Sequence, residues 1–501
     1  MCREIPVDHC SKGLFTMNYK QIFHLLATIL LVISFFMLIP ALYALFLNQK
    51  AVFNSFLIPL IIIALYVISV FLVGRSWEKE ALTTKEIYFF VILTYLFVTT
   101  IGSLPFYLSG SARDFSSAFM ETMSGFSTTG LSNLENIEGI AKPILLWRSM
   151  THWLGGMGIV VLFVALLPLM GTEGSQLYSA EVVGPNKNRL TPKIRDSALI
   201  LWLIYIFLTL AEIVLLLFGK LPFFDALTLS LSTVATGGFV AREFSVSSYS
   251  SAYVDYVVTV FMIMGGINFT LYYSLIKRKF SRIKTNDEIK VYLAIFCCAA
   301  AIVVFSLLKE SVYPTFEQAF RYGVFHVASI LSTTGFYITN FNSWPFLAQG
   351  VLLTLMFVGG SSGSTSGGIK VSRIITMFKL AKQNVKVMLH PKGHFTIQSE
   401  HERIPWRTVN AIAGFITIYL FLVLLTTLVV ASAGYDLTTS FSTGLISVGN
   451  FGLGFRGIGP HGIAFVLMPK YVKWFLSFMM LGGRLEIYSL IILFSTRFWK
   501  K

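Results

Sequence analysis

Ser127-Thr128-Thr129-Gly130 ends a short apolar stretch, and three later stretches end alike: Ala235-Thr236-Gly237, Thr333-Thr334-Gly335 and Ser447-Val448-Gly449. The four glycines recur at intervals of roughly 100 residues, the mark of one structural unit used four times. Each is followed by a Gly-Gly pair inside an apolar run, Gly155-Gly156, Gly265-Gly266, Gly359-Gly360 and Gly482-Gly483. A unit of helix, half-length apolar segment, glycine-bearing loop and helix, repeated fourfold, surrounds a central axis with four loops of backbone carbonyls. That construction implies a cation-selective pore.

Working outward, the whole chain agrees with a membrane setting. Of its 501 residues 55% are hydrophobic and only 13% charged, with 46 phenylalanines, and the mean hydropathy is +0.73. No soluble core needs so much apolar surface. Repeated apolar runs of roughly 20 residues match the length that crosses ~30 Å of hydrocarbon. The fold expected is an all-α polytopic membrane protein, four tandem repeats of helix, re-entrant pore helix, filter loop and helix in pseudo-fourfold arrangement, preceded by two extra transmembrane helices. The first apolar run, 22–47, is too long for a cleavable leader and reads as a retained span. Cys2, Cys10, Cys297 and Cys298 have no metal-ligand spacing and suggest no disulfide framework.

The net charge of +15 is unevenly spread. Segments 1–20, 75–86, 169–197, 277–290, 370–407 and 497–501 hold most of the lysines and arginines, the asymmetry that places them, and both termini, in the cytoplasm. This distribution points to membrane lipids and topology rather than to nucleic acid.

The leading spans are expected at 21–47 and 53–74, within an amino-terminal extension of residues 1–85. The first repeat, 86–190, uses 87–108, a re-entrant helix 115–126 and a return at 144–168. The second, 191–285, uses 198–218, 223–235 and 253–276. The third, 286–400, uses 291–308, 317–332 and 346–382, and the fourth, 401–501, uses 408–432, 436–446 and 471–498. An apolar run of 10 to 14 residues cannot span, and irregular backbone at membrane depth is tolerated only where it lines a cavity or is buried in protein. Each short run therefore dips in and returns.

A dehydrated cation needs several oxygens at fixed distance, and backbone carbonyls supply them without a fixed charge that would hold the ion too tightly. Glycine permits the backbone angles that turn successive carbonyls to the axis. The helix before each loop aims its partial negative end into the membrane, which favours a cation there. The filter residues expected on this reading are Thr128, Thr129, Gly130, Ala235, Thr236, Gly237, Thr333, Thr334, Gly335, Ser447, Val448 and Gly449.

The segment Gly359-Gly360-Ser361-Ser362-Gly363-Ser364-Thr365-Ser366-Gly367-Gly368-Ile369-Lys370 is too polar and flexible to continue a transmembrane helix. It reads as an intramembrane gating loop below the filter, with Lys370 at its cytoplasmic end. A phosphate-cradling loop does not fit, because Lys370 does not directly follow the glycine pair and no Ser or Thr follows the lysine. Arg484 stands amid apolar residues, at a cost of about 2.5–3.5 kcal/mol in mid-membrane, and is expected to face the ion path as an electrostatic barrier; the alternative is a structural pair with Glu486. His390, His394 and His401 lie in a lysine-rich linker and read as solvated. His152 and His326 lie near the pore units and read as structural residues, the alternative being that they tune a pH response; Glu121, Asp225, Glu317 and Asp436, in or near the re-entrant helices, read as cation attractors at the outer mouth or helix caps. No catalytic cluster is present in the sequence, so no enzyme is expected.

With these residues in view the chain resembles the TrkH family of the bacterial Trk potassium-uptake system, within the superfamily of Trk, Ktr and plant HKT transporters. The resemblance covers essentially the whole chain. It is carried by Trp153 to Ile159 with Leu166-Leu167-Pro168, by Leu201 to Tyr205, by Ala235 to Phe239, by the loop ending Gly367-Gly368-Ile369-Lys370, and by Leu481 to Glu486. The two leading spans are similar to the TrkH type rather than to the shorter KtrB type. The resemblance implies a homodimer with a pore in each chain, a cytoplasmic ring of nucleotide-binding TrkA-like subunits that controls the gate, and a place in the bacterial inner membrane. It implies K+ as the transported ion, with no organic cofactor in this chain. Glycine in all four loops is similar to the potassium-preferring pattern, whereas sodium-preferring relatives often have serine in the first. One departure is Asn450 in Asn450-Phe451-Gly452, where the family commonly has proline, and it bears on the width of the fourth wall. The competing function is a symporter coupling K+ to H+ or Na+, which needs titratable or second-ion ligands at membrane depth; the four loops contain none.

Overall fold

A computed structural model of the chain describes residues 17–73, 82–158, 194–391, 396–399, 402–459 and 464–499. Two leading helices, Tyr19–Phe46 and Lys50–Val73, pack on each other and on the first repeat. Each repeat then opens with a long outer helix: Thr84–Leu108, Ile194–Phe218, Asp287–Lys309 and Trp406–Ala431. These six are long and apolar enough to cross a membrane. Phe35, Leu65, Phe207, Phe305 and Leu428 stand exposed on them, the outward apolar face that hydrocarbon covers. Apart from a two-residue hairpin pairing Gln398–Ser399 with Glu402–Arg403, the described residues contain helices, turns and loops.

The short re-entrant helices are Phe115–Phe126, Phe223–Val234, Phe316–Leu331 and Leu437–Gly449. Three start on a side-chain cap: Asp114 accepts from Ser117 N, Thr315 from Gln318 N and Asp436 from Thr439 N; the second starts after Pro222. Such caps satisfy amide groups that the first turn leaves open. Each re-entrant helix packs on the outer helix of its own repeat.

The return segments are not the continuous spans expected at 253–276, 346–382 and 471–498. In the second repeat Ala252–Gly265 and Phe269–Ile276 meet at 96°, and in the fourth Lys470–Arg484 and Ile487–Phe494 meet at 117°. In the third, Phe346–Leu355 stops and Val371–Leu389 begins only after the 359–370 segment. In the first, Lys142–Gly156 ends at its glycine pair, and the expected continuation to 168 lies outside the described residues beyond 158. Every break falls at or beside a Gly-Gly pair. A Cβ on Gly155 would overlap Phe126 O, and one on Gly483 would overlap Val448 O. The glycines thus let a return helix touch the carbonyl end of its own re-entrant helix, and their backbone freedom allows the turn.

The return helices of the first, second and fourth repeats also pack on the re-entrant helix of the next repeat, the fourth closing onto the first. The seam between the third and fourth repeats departs from this. A cavity of about 360 Å³ opens there, lined by Gln349, Gly350 and Leu353 on one side and by Leu437 and Phe441 on the other.

Candidate functional site

Beyond each re-entrant helix the chain turns in the same way. Thr129 N donates to Ser124 O at 2.8 Å, Gly237 N to Ser232 O at 2.9 Å, Thr334 N to Ser329 O at 2.9 Å and Phe451 N to Ile446 O at 3.2 Å. The residue before each donor is left-handed: Thr128 at φ 56°, Thr236 at 51°, Thr333 at 61° and Asn450 at 53°. This is a helix-terminating motif built on a left-handed residue. β-Branched threonine resists that conformation, and strain at the same place in three repeats points to function.

The shared hydrogen bond sets the register of the four loops, and it corrects the sequence reading in two of them. Thr128-Thr129-Gly130 corresponds to Thr236-Gly237-Gly238, Thr333-Thr334-Gly335 and Asn450-Phe451-Gly452. Ala235 caps its helix, and Ser447, Val448 and Gly449 are its fourth-repeat counterpart's last helical turn. Counting forward from matching glycines misplaced these loops because Gly237-Gly238 offers two candidates and Gly449 lies within a helix. A signal was present in the sequence: an apolar residue, Leu131, Phe239, Phe336 or Leu453, directly follows each of the corresponding glycines. The φ of Asn450 also excludes proline, whose ring locks φ near −65°.

The four loops meet in cyclic order. A Cβ on Gly130 would overlap the Gly237 carbonyl and one on Gly238 the Thr334 carbonyl; one on Gly335 would come within 2.7 Å of Gly452 N, and one on Gly452 within 2.9 Å of Thr129 O. First touches second, second third, third fourth and fourth first. The glycines are required because backbone from another repeat occupies the space of a side chain. Gly130, Gly238, Gly335 and Gly452 also share one cavity of about 510 Å³, an open vestibule on one side of the ring.

The other side is covered by the 359–370 segment. Gly367 N donates to Thr333 Oγ1 at 2.7 Å, Gly368 N to Gly449 O at 2.7 Å, and Thr236 Oγ1 to Thr365 Oγ1 at 3.2 Å. The Thr365 hydroxyl lies 3.1 Å from both Val234 O and Gly265 O, which share its one hydrogen. Arg484 reaches the first loop, donating to Thr128 Oγ1 and Thr365 O at 3.3 Å, to Gly156 O at 2.9 Å and to Gly155 O. The segment and Arg484 together contact the first three loops and the end of the helix that leads into the fourth. Gly359 N donates to Ile369 O at 2.9 Å and pins the segment's base, while buried Lys370 donates back to Ser366 O. Glu288, which the sequence reading missed, anchors it from the third outer helix by accepting from Ser362 N at 2.7 Å and Ser372 N at 3.1 Å. Its first-turn position resembled an ordinary helix-end acid, so nothing local marked it. Glu486 does not pair with Arg484; it accepts from Arg373, whose guanidinium lies 3.9 Å from the Phe415 ring centre.

The remaining candidates stand behind the ring. Glu121 is paired with Arg148 at 2.7 Å, both buried, and accepts from Asn133 N at 2.6 Å. Arg148 donates to Val240 O at 2.9 Å and lies over Phe239, so this pair ties the first loop to the second. Asp225 pairs with Arg242 at 2.7 Å, Glu317 with Arg321 at 3.1 Å, and Asp436 caps its helix. His152 stacks on Phe239 with ring centres 3.9 Å apart. His326 Nδ1 is 2.8 Å from Tyr322 O, and its ring lies against Phe341 and Trp344. His390 is exposed, and His394 and His401 lie outside the described residues. Among the described residues no group of three His, Cys, Asp or Glu is placed to hold a metal. Cys297 and Cys298 are free and exposed, and Cys2 and Cys10 lie outside the described residues.

The sequence profile of the TrkH cation transport proteins matches residues 56–501. The chain belongs to the TrkH family of cation transport proteins. It is 33% identical over 492 residues to the Trk system potassium uptake protein TrkH of Salmonella typhimurium, covering 97% of this chain and 100% of the relative. It is 30% identical to the Trk system potassium uptake protein TrkG of Escherichia coli, covering 97% and 99%. The crystal structure of the potassium transporter TrkH from Vibrio parahaemolyticus superposes with a TM-score of 0.85 at 30% identity, covering 97% of this chain and 100% of that one. The TrkH fold accounts for the all-helical, multi-pass architecture, and this is a transporter family rather than an enzyme family.

Proposed function

We propose that the protein is a gated, channel-like pore for K+ uptake, carried by the cyclic meeting of four glycine loops from one chain. The carbonyls of Thr128 to Gly130, Thr236 to Gly238, Thr333 to Gly335 and Asn450 to Gly452 replace the water around the ion. The 359–370 segment, through Gly359, Gly360, Gly363, Gly367, Gly368 and Lys370, is the gate, and Arg484 is the positive barrier beneath the first loop. The names of the relatives support K+ as cargo. A homodimer in a bacterial inner membrane, both termini cytoplasmic and a TrkA-like nucleotide-binding subunit on the basic face, completes the reading. Movement of the gate requires the segment to leave Thr236, Thr333 and Gly449, contacts that a partner holding Val371–Leu389 can alter.

The test is rescue of a K+-uptake-deficient bacterium at low K+ with a partner subunit co-expressed. The wild type is expected to restore growth, and Gly130→Ser and Gly335→Ser to lose K+ preference. No rescue by a verified, membrane-inserted protein overturns the reading.

Coupling to protons is the second reading, favoured by Glu212. This acid is fully buried in the second outer helix, faces Thr233 of the second re-entrant helix and has no basic partner among the described residues; an intramembrane acid of this kind is expected to serve an ion or proton path. Reversal potentials in proteoliposomes separate the two: values that follow the K+ gradient alone support the channel, and values that shift with the pH gradient support coupling.

A further inference from the structure

Asn450 holds the place of the three left-handed threonines but is wired differently. Its side-chain Nδ2 donates to Thr129 Oγ1 in the first loop at 2.9 Å and to Met480 O in the last return helix at 2.8 Å. The threonines meet the covering segment or Arg484 instead: Thr128 Oγ1 bonds Ser127 O at 2.7 Å and accepts from Arg484, Thr236 Oγ1 bonds Ala235 O at 2.7 Å and lies 3.2 Å from Thr365 Oγ1, and Thr333 receives Gly367 N. Asn450 is the member of the set whose side chain bonds directly to another of the four ring loops. It is 1% exposed, so both amide hydrogens are spent on protein partners in a site that water does not reach.

The seam it spans is the one where chain ends are farthest apart in sequence, the fourth loop against the first. Backbone contact alone brings Gly452 to Thr129 and Gly130 there. Thr129 Oγ1 is also 2.7 Å from Ser127 Oγ, so the amide joins a hydroxyl pair already tied to the first helix end. Ser332 and Thr334 form the same pair at 2.7 Å in the third repeat, where no asparagine reaches it. On its other side, a Cβ on Gly483 would overlap Asn450 Oδ1, so the break of the last return helix is built around this side chain.

We propose that Asn450 is a positioning residue for cation selection: its amide braces the fourth loop against the first and against the last return helix, setting the ring's width at that seam. The inference rests on the four loops being the selectivity filter. A carbonyl ring discriminates ions of different radius only if its walls resist collapse or spreading. A two-point amide strut in a dry site resists both, because each displaced hydrogen bond leaves a buried polar group unsatisfied.

The test compares uptake of K+, Rb+ and Na+ by the full-length protein, with its partner subunit, in a K+-uptake-deficient bacterium and in proteoliposomes. Asn450→Gly suits the left-handed backbone and removes the strut; Asn450→Asp keeps the shape and removes the donor. Both variants, checked for monodisperse behaviour in detergent, are expected to raise the Na+/K+ uptake ratio about fivefold or more, the equivalent of one lost hydrogen bond. Thr129→Ser, which keeps the acceptor, is expected to retain the wild-type ratio, and Thr129→Val to reproduce the change. Asn450→Gly with Thr129→Val should be no worse than Asn450→Gly alone, because the link that Thr129→Val breaks is already gone in that variant. Monodisperse Asn450→Gly and Asn450→Asp proteins with the wild-type ratio overturn the strut. A wild type that transports without preferring K+ over Na+ overturns the filter reading, and the strut with it.

Discussion

Arg484 Nη1 donates to Thr128 Oγ1 at 3.3 Å, linking the break of the last return helix to the strained left-handed residue of the first loop. The same guanidinium binds Thr365 O in the covering segment and the Gly156 carbonyl of the first return helix. On the proposed reading, a cation leaving the ring on this side would meet a fixed positive charge and a strap of backbone at once.

Arg484→Gln removes the charge while keeping a side chain able to reach some of these carbonyls. Maximal K+ uptake is expected to rise several-fold and to depend less on the partner subunit. Rubidium tracer flux into proteoliposomes, with and without that subunit, measures it; unchanged flux in both would show that Arg484 is structural.

Glu288→Gln loosens the covering segment without touching the ring. A hydrogen bond to a charged group contributes about 1.5–3 kcal/mol, and Glu288 accepts two from backbone amides. Weakening them is expected to shift the gate toward open by about tenfold, since ~1.4 kcal/mol is a factor of ten. Basal flux in the absence of the partner subunit reads this directly, and a basal flux equal to wild type would argue against the anchor.

Glu121→Ala leaves Arg148 buried and uncompensated. Breaking a buried pair from one side costs about 3–5 kcal/mol, so the variant should lose much of its resistance to denaturation in detergent. Glu121→Leu with Arg148→Met removes both charges and should recover most of that loss. Thermal melts of the three proteins decide, and a double variant as weak as the single one would contradict the pairing argument.

The loop register makes its own prediction. Gly452→Ser places atoms where Thr129 and Gly130 backbone stands and is expected to abolish K+-selective uptake. Ser447→Ala removes a buried hydroxyl that has no hydrogen-bond partner from the last turn of the re-entrant helix and is expected to leave the K+/Na+ ratio unchanged. The reverse pattern in growth and uptake assays would restore the register read from glycine spacing.

Much of the architecture was legible because membrane helices are encoded locally. Runs such as 22–47 and 408–432 must be apolar throughout and long enough to cross, and a half-length run ending at Thr129-Gly130 cannot do so. The Gly359 to Lys370 segment was legible as an interruption for the same reason: a serine and glycine stretch cannot sustain a helix in hydrocarbon. The breaks at Gly265-Gly266 and Gly482-Gly483 were misread as continuous spans, since the apolar flanks are the same whether a helix runs straight or turns by 96° or 117°. Glu288, the Glu121 to Arg148 pair and the reach of Asn450 join residues far apart in the chain, and no local pattern encodes such partners.

By itself the sequence determined that this is a polytopic helical membrane protein with one unit used four times, because hydropathy, length and glycine recurrence act within each segment. Only the tertiary structure decided that Gly238 and Gly452, rather than Gly237 and Gly449, stand with Gly130 and Gly335 in the ring. The physical reason is that a carbonyl's direction depends on where its helix terminates and on which backbone presses against it, and that neighbouring backbone comes from a different quarter of the chain.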